Sequence, residues 1–258
     1  KYNRISSGAV LMTGINYSDS NYKNTIQISP ILFSTQFNTV EGLNFSPKIK
    51  WIHTIDSNAI RLSETAIRYG FSNKTYQAMT RLEWLWKDKN WYGKFLKFGL
   101  EAGQYMVQFN SESPVSIDYN TASSLSDAHN YLKLYQRGIL RGYTERNFAN
   151  GCNLTMSVAY HQRTFVENYS ATPFTWNKDV PNQYTANTPL NELTKDLNNH
   201  DAFIIDIKAN YRPGIRYIQY PDKRLPVRSN WPLFSLQYTK AIPGIGQSSM
   251  QYDKLKLS

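Results

Sequence analysis

The chain is predicted to be all-β, an antiparallel up-and-down transmembrane β-barrel, and three observations predict it. The first is a two-residue alternation that recurs in segment after segment, with no helix-period stretch as clear. Residues 201–212 set Phe203, Ile205, Ile207, Ala209 and Tyr211 against Ile204, Asp206, Lys208, Asn210 and Arg212. Residues 153–161 set Leu154, Met156, Val158 and Tyr160 against Asn153, Thr155, Ser157, Ala159 and His161. Successive strand side chains point to opposite faces, so this pattern writes strands with one apolar and one polar face. The second is that the polar faces are rich in Lys, Arg, Asp and Glu, as in strands that line a barrel lumen. The third is that long polar stretches alternate with short turns, matching a barrel whose loops are long on one side and short on the other.

Composition narrows the class. The chain has 258 residues, 41% of them hydrophobic, and a mean hydropathy of −0.54. No segment approaches the roughly 18 consecutive apolar residues of a membrane helix. That excludes a helical membrane protein and leaves a barrel, whose strands need only about 10 residues of alternation. Aromatics stand out, with 19 Tyr, 12 Phe and 6 Trp. They fit any all-β protein, since aromatic residues favour strands, and equally the aromatic girdles of two membrane interfaces. The net charge of +10 is interspersed along strands, and its densest cluster, Lys87-Asp88-Lys89, is turn-like. A basic balance can mean a nucleic acid, anionic lipid or lipopolysaccharide partner, but solvated faces and turns explain these charges by themselves, and no nucleic acid is expected. Cys152 is the only cysteine, so there is neither a disulfide nor a cysteine metal site. His53, His129, His161 and His200 are scattered and form no spaced ligand set.

In chain order, the first expected strand covers residues 8–17, with Ala9, Leu11, Ile15 and Tyr17 on one parity. Ile26, Ile28 and Leu32 mark the next. Leu43, Phe45, Ile49 and Trp51 alternate with Asn44, Ser46, Lys48 and Lys50, and Pro47 places an edge or bulge among them. From 59 to 71 the parity slips from Ile60 and Leu62 to Ile67, Tyr69 and Phe71, which predicts a bulge over 64–66. Tyr76, Ala78, Leu82, Trp84 and Trp86 form the following strand. Lys87-Asp88-Lys89-Asn90 is a short turn, and Trp91-Tyr92 opens a strand continued by Leu96, Phe98, Leu100 and Ala102, so the pair reads as a β-hairpin. Trp84, Trp86, Trp91 and Tyr92 crowd its tip. In a soluble protein they would be an exposed apolar cluster; at a membrane interface they are expected. These four are the candidate site residues.

Residues 107–130 read as a polar loop containing Pro114. Residues 131–148 read as a strand, although Tyr131, Leu134 and Tyr135 also fit a helical turn. From 166 to 200 an Asn, Thr and Pro-rich break contains Pro173, Pro181 and Pro189. Such a length is uncommon inside a compact domain and routine on the outer side of a barrel. Pro213-Gly214 and a Pro221-Asp222-Lys223 turn precede strands at Phe234, Leu236 and Tyr238 and at 250–257. With a short turn at Asn150-Gly151, the loops 107–130 and 166–200 fall at one end of the sheet and the 87–90 turn at the other. No composition shift divides the chain, so residues 1–258 are one domain.

No phosphate-cradling glycine loop, zinc pair or nucleophile elbow is present. Pro243-Gly244-Ile245-Gly246 lacks the strand–loop–helix setting of a dinucleotide fingerprint. His200 and Asp201, neighbours at a strand start, point to opposite faces and make a poor dyad. Glu83 and Glu101 could share a lumen, but paired carboxylates need a separation that sequence does not give. Ile139-Leu140-Arg141-Gly142-Tyr143 has the arginine-glycine-aromatic order of a lumen loop in the BamA/TamA barrel superfamily, yet it falls in an expected strand. No catalytic residue, cofactor or metal is assigned, and the expected protein is not an enzyme.

Several blocks do carry a resemblance. They are residues 99–110 (Gly99-Leu100-Glu101-Ala102-Gly103-Gln104-Tyr105 and onward), 130–135, Tyr211-Arg212-Pro213-Gly214, Pro221-Asp222-Lys223, 232–238 and Tyr252-Asp253-Lys254-Leu255. In this order, from about residue 60 to the end, the chain resembles a Bacteroidetes outer-membrane family, domain of unknown function 5686. In that family a carboxypeptidase-like regulatory domain, Ig-like and without peptidase activity, precedes a C-terminal barrel. The resemblance implies localisation in the outer membrane of a Gram-negative bacterium. It further implies that the chain is part of a longer precursor, about 10–12 strands of a larger barrel that lacks its closing strands. The expected function is non-catalytic: envelope biogenesis, protein or lipid assembly, or transport, with outer-membrane lipid, lipopolysaccharide and other envelope proteins as partners. The alternatives are a secreted aromatic-rich β-sandwich that binds glycan or another polymer, and a barrel enzyme acting on lipid.

Overall fold

The computed structural model describes residues 7–19, 21, 23–110, 114–170, 183–189, 199–227 and 229–258. Lys1, Tyr2, Asn3, Pro173 and Pro181 lie outside the described residues.

The alternation does what it predicts, and the chain folds into antiparallel strands. In order they are β1 (Ile15–Ser18), β2 (Asn24–Ile28), β3 (Thr35–Asn38), β4 (Gly42–Phe45), β5 (Lys48–Thr54), β6 (Ala59–Gly70), β7 (Thr75–Lys87) and β8 (Phe95–Gln108). Then come β9 (Leu134–Asn147), β10 (Cys152–Phe165), β11 (His200–Tyr211), β12 (Arg216–Gln219), β13 (Arg224–Val227), β14 (Phe234–Ile242) and β15 (Tyr252–Leu257). All but β12 and β13 join one 13-stranded sheet, whose main path runs β1-β2-β5-β6-β7-β8-β9-β10-β11-β14-β15. From β5 onward this is an up-and-down meander. β1 pairs only with β2 and β15 only with β14, so the sheet of the described residues is open at both edges.

The main path has eleven strands, within the expected 10–12, and β3 and β4 lie off it. Proline has no N–H to give a ladder, and at Ser46-Pro47 the expected single strand breaks into β4 and β5. Both pair with β6 in one register, Phe45 opposite Tyr69 and Lys48 opposite Ala66, while the Pro47 carbonyl still accepts from Ile67 at 3.1 Å. The expected bulge at 64–66 does not exist. β6 runs unbroken against β7, from Ala59 opposite Trp86 to Gly70 opposite Thr75. Ile60 and Leu62 lie on the polar side instead, opposite Leu85 and Glu83, and this placement made the parity look shifted.

Two stretches change class. Residues 8–17 were expected as a strand, but helix α1 (Ser7–Met12) occupies their first half and β1 the second, with Gly14 between them at φ 73°. The alternation there is weak, and Ala9, Leu11 and Met12 are good helix formers. Inside the loop expected at 107–130 lies helix α2 (Ile117–Asp127). Its inward residues are Asn120, Ser123 and Ser124, so no apolar stripe marked it. Residues Leu134–Asn147 settle as strand rather than helical turn.

The long connections do gather at one end. There Asn187 bridges β9 to the end of β10, accepting from Leu134 N at 2.8 Å and donating to the Leu134 and Val166 carbonyls at 2.7 Å. At the other end, Trp91 and Tyr92 precede β8 rather than open it. Asp88 organises that turn, accepting from Asn90 N at 2.9 Å and Trp91 N at 3.2 Å. Above Ala78 and Gln104, β7 and β8 cease to pair. Gly103, at φ 139°, marks the parting: a Cβ on it would stand 2.2 Å from the Ala78 carbonyl.

Candidate functional site: the polar face of the sheet

Cross-strand register sorts the side chains into two faces. One apolar row runs Trp84, Phe98, Thr144, Met156, Ile207, Tyr238, Leu255 from β7 to β15. The next runs Leu82, Leu100, Gly142, Val158, Ile205, and then turns charged with Lys240 and Asp253. The polar row between them is Glu83, Gly99, Tyr143, Ser157, Asp206, Thr239. Lys208 stands opposite Thr155 and Gln237, so it belongs to the polar face as expected, although it is exposed.

Burial is inverted relative to a water-soluble sheet. Leu100 is 50% exposed, Met156 43% and Val158 46%, while Ser157 and Ala159 between them are 6% and 4% exposed. The buried apolar cluster is small, consisting of Val40, Met106, Leu132 and Leu134 beside the long connections.

The polar face is knit by charge. Arg81 donates to Glu64 at 3.1 Å and lies 3.9 Å from Glu83, Lys97 meets Glu145 at 2.7 Å, and Arg141 stands 3.7 Å from Glu101. Tyr143 reaches across a whole strand, its hydroxyl donating to Glu83. It can do so because Gly99 lies beneath it, where a Cβ would come within 2.1 Å of the Tyr143 ring. Arg141 stacks over the same ring at 5.0 Å. Arg141 and its neighbours thus sit in β9, not in a loop. Glu83 and Glu101 do share this face, but Arg81 stands between them in register and each carboxylate faces a base. Asp206 accepts from Gln237 at 2.7 Å and Thr239 at 2.6 Å. Asp201 accepts from the Tyr160 hydroxyl at 2.5 Å, and in register it stands opposite Gln162 while His200 stands opposite Arg163.

At the long-connection end the face is closed by the β3–β4 tip. Asn38, Thr39, Val40 and Glu41 are each at most 1% exposed. Asn38 Oδ1 accepts from Val40 N at 3.0 Å and Glu41 N at 2.8 Å, and its amide donates to Glu41 at 2.8 Å. Arg68 Nε donates to both Glu41 oxygens, at 2.7 and 2.9 Å. Thr39 donates to Asn168 at 2.6 Å, and Asn120 Oδ1 accepts from Tyr131 N and Leu132 N at 2.8 Å. Lys133 donates to the Ala186 carbonyl, and burial pulls its ammonium down to about 8. Beside this tip lies a cavity of about 290 Å³ lined by Lys48, Arg68, Tyr105, Gln108 and Leu134 among others. Among the described residues, no three His, Cys, Asp or Glu side chains converge as a metal-holding group.

The four candidate aromatics part company. Trp84 and Trp86 lie on the apolar face, where Trp86 meets Phe98 edge-on at 6.0 Å. Tyr92 is exposed. Trp91 faces the β12–β13 hairpin, with Tyr217 edge-on at 5.2 Å and Arg224 over its ring at 4.7 Å. The hairpin is tied on by Arg224 N to the Asn90 carbonyl (2.8 Å), Tyr92 N to the Arg224 carbonyl (3.0 Å) and the Tyr217 hydroxyl to the Ala149 carbonyl. Sequence reasoning missed the polar tip and the Tyr143–Glu83 bridge altogether. A local signal existed only for the tip, where Asn38 precedes a tight turn with Gly42 at φ 67°.

Fold and site define an all-β protein built on one long antiparallel meander, with one face apolar and exposed and the other charged and ion-paired. The chain matches the family described as "Family of unknown function (DUF5686) C-terminal domain" over residues 8–258, and it belongs to that family. No curated protein and no solved structure matches it.

Proposed function

We propose that this chain is wall of a transmembrane β-barrel in the outer membrane of a Gram-negative bacterium. Its apolar face would meet lipid and lipopolysaccharide, and its charged face would line the interior. The observation that carries it is the inverted burial along strands of unusual length. β6 to β11 are 12 to 14 residues long, whereas globular strands cluster near 5–6 residues and a tilted span needs about 9–11. A β-sandwich would have buried the row from Trp84 to Leu255 against a second sheet. In water, an exposed apolar surface of that extent is a liability.

In this setting the charged face is structural rather than catalytic, and the function is envelope biogenesis, transport or surface assembly without covalent chemistry. Backbone groups in lipid must be paired, so β1 and β15 need partners on their free sides in the membrane.

The test is fractionation of the full-length protein followed by alkaline carbonate extraction, with cysteine labelling in a Cys152→Ser background. We expect the protein in the outer-membrane pellet. A cysteine at Val158 should be shielded from a water-soluble maleimide, and one at Lys208 labelled. Recovery as a soluble protein without detergent, or labelling of both sites alike, refutes it.

A further inference from the structure

We propose that the long-connection half of the polar face binds a phosphate-class oxyanion, with Arg137 and Arg163 as direct ligands and His161 beside them. Five arginines lie on this face between β6 and β10, namely Arg68, Arg81, Arg137, Arg141 and Arg163. Three have a carboxylate: Arg68 has Glu41, Arg81 has Glu64 and Glu83, and Arg141 has Glu101. Arg137 and Arg163 have none among the described residues, although they stand directly opposite each other across β9 and β10. Like charges in that cross-strand position repel and destabilise a sheet. Among the described residues, the other arginines of this face are neutralised and this pair is not.

Three further features point to a ligand for it. Arg137 Nε and His161 Nδ1 are buried with no hydrogen-bond partner among the described residues, and such orphans in a native interior call for a ligand, ion or water. Arg137 Nε can only donate, so its missing partner is an acceptor. Arg137, Arg141 and Arg163 all act electrostatically on His161, which places the imidazole inside the same positive field. Arg163 stacks on the Tyr135 ring at 5.1 Å, which fixes the plane of its fork before any ligand arrives. Two planar guanidinium forks suit a tetrahedral dianion, which offers each of them a bidentate edge. The site rests on the polar face alone and does not require lipid on the other side. The phosphate group could come from a soluble phosphate ester or from a lipid headgroup.

The test is titration of the purified full-length protein with inorganic pyrophosphate, read by phosphorus NMR. A second arm uses mixed micelles that carry a phosphomonoester lipid. Saturable binding is expected in at least one arm, weakened about tenfold or more in Arg137→Gln and in Arg163→Gln. Arg163→Lys should retain part of the affinity, and Lys208→Gln, farther along the same face, should retain all of it. Binding in the first arm assigns a soluble source, and binding only in the second a headgroup. The inference is overturned by no saturable binding in either arm, or by equal loss in Lys208→Gln. Arg137→Lys, which keeps the charge, guards against reading misfolding as lost affinity: it should bind, and a well-folded Arg137→Lys that binds no better than Arg137→Gln also counts against the site.

Discussion

Tyr143 on β9 hydrogen-bonds Glu83 on β7 by lying across Gly99 on the strand between them. One missing side chain thus lets two non-adjacent strands share a bond. A branched side chain at Gly99 would occupy the ring's place. Gly99→Val should release Tyr143, free Glu83 and cost about 1–3 kcal/mol from overpacking. Tyr143→Phe should lose only the hydrogen bond to the Glu83 carboxylate, about 1.5–3 kcal/mol, whereas Gly99→Val adds overpacking to that same loss. Thermal unfolding of the two variants checks the order.

The Glu41–Arg68 pair is deeply buried, at 0% and 6% exposure. Removing one partner leaves an uncompensated charge, so Glu41→Gln or Arg68→Met should each destabilise the β3–β4 tip by about 3–5 kcal/mol. The double variant Glu41→Leu with Arg68→Met should recover much of that. Limited proteolysis near residues 38–42, together with unfolding, measures it.

If the apolar face meets lipid, Val158→Lys should impair membrane insertion by about 2–4 kcal/mol, and Ser157→Lys on the polar face by much less. Heat-modifiable gel mobility of the two variants decides it. Equal effects would argue against a lipid-facing Val158.

Lys133 holds its proton more weakly in the folded chain, at about 8, than an ordinary lysine does. Between that value and the unfolded pKa the unfolded chain binds more protons, so folding stability should rise with pH across this window and be lower beneath it. Lys133→Met should flatten the rise. Denaturant midpoints measured from pH 7 to 10 provide the check.

Trp91→Ala should loosen the β12–β13 hairpin while the main sheet persists, because the Trp91 ring faces Tyr217 and Arg224 rather than the apolar row. Protease cutting within residues 216–227, with an unchanged strand signal in circular dichroism, is the expected outcome.

The sequence by itself determined the all-β class, the two faces of β10 and β11, the sidedness of the long connections and the family. All of these follow from patterns repeated at a fixed spacing of two, or from blocks in a kept order, and backbone geometry turns that spacing directly into faces. Only the tertiary structure decided the rest. Ile60 and Leu62 sit on the polar side because β6 must stay in register with both neighbours, which overrides their apolar character. α2 turns Asn120 and Ser124 inward because they bond backbone groups of residues 129–132, so the usual apolar stripe never appears. Glu41 meets Arg68, Tyr143 meets Glu83 across Gly99, and Arg137 faces Arg163 because strands far apart in the chain are brought side by side. Which charges meet is set by register and by long-range closure, and neither is written in the neighbourhood of any one residue.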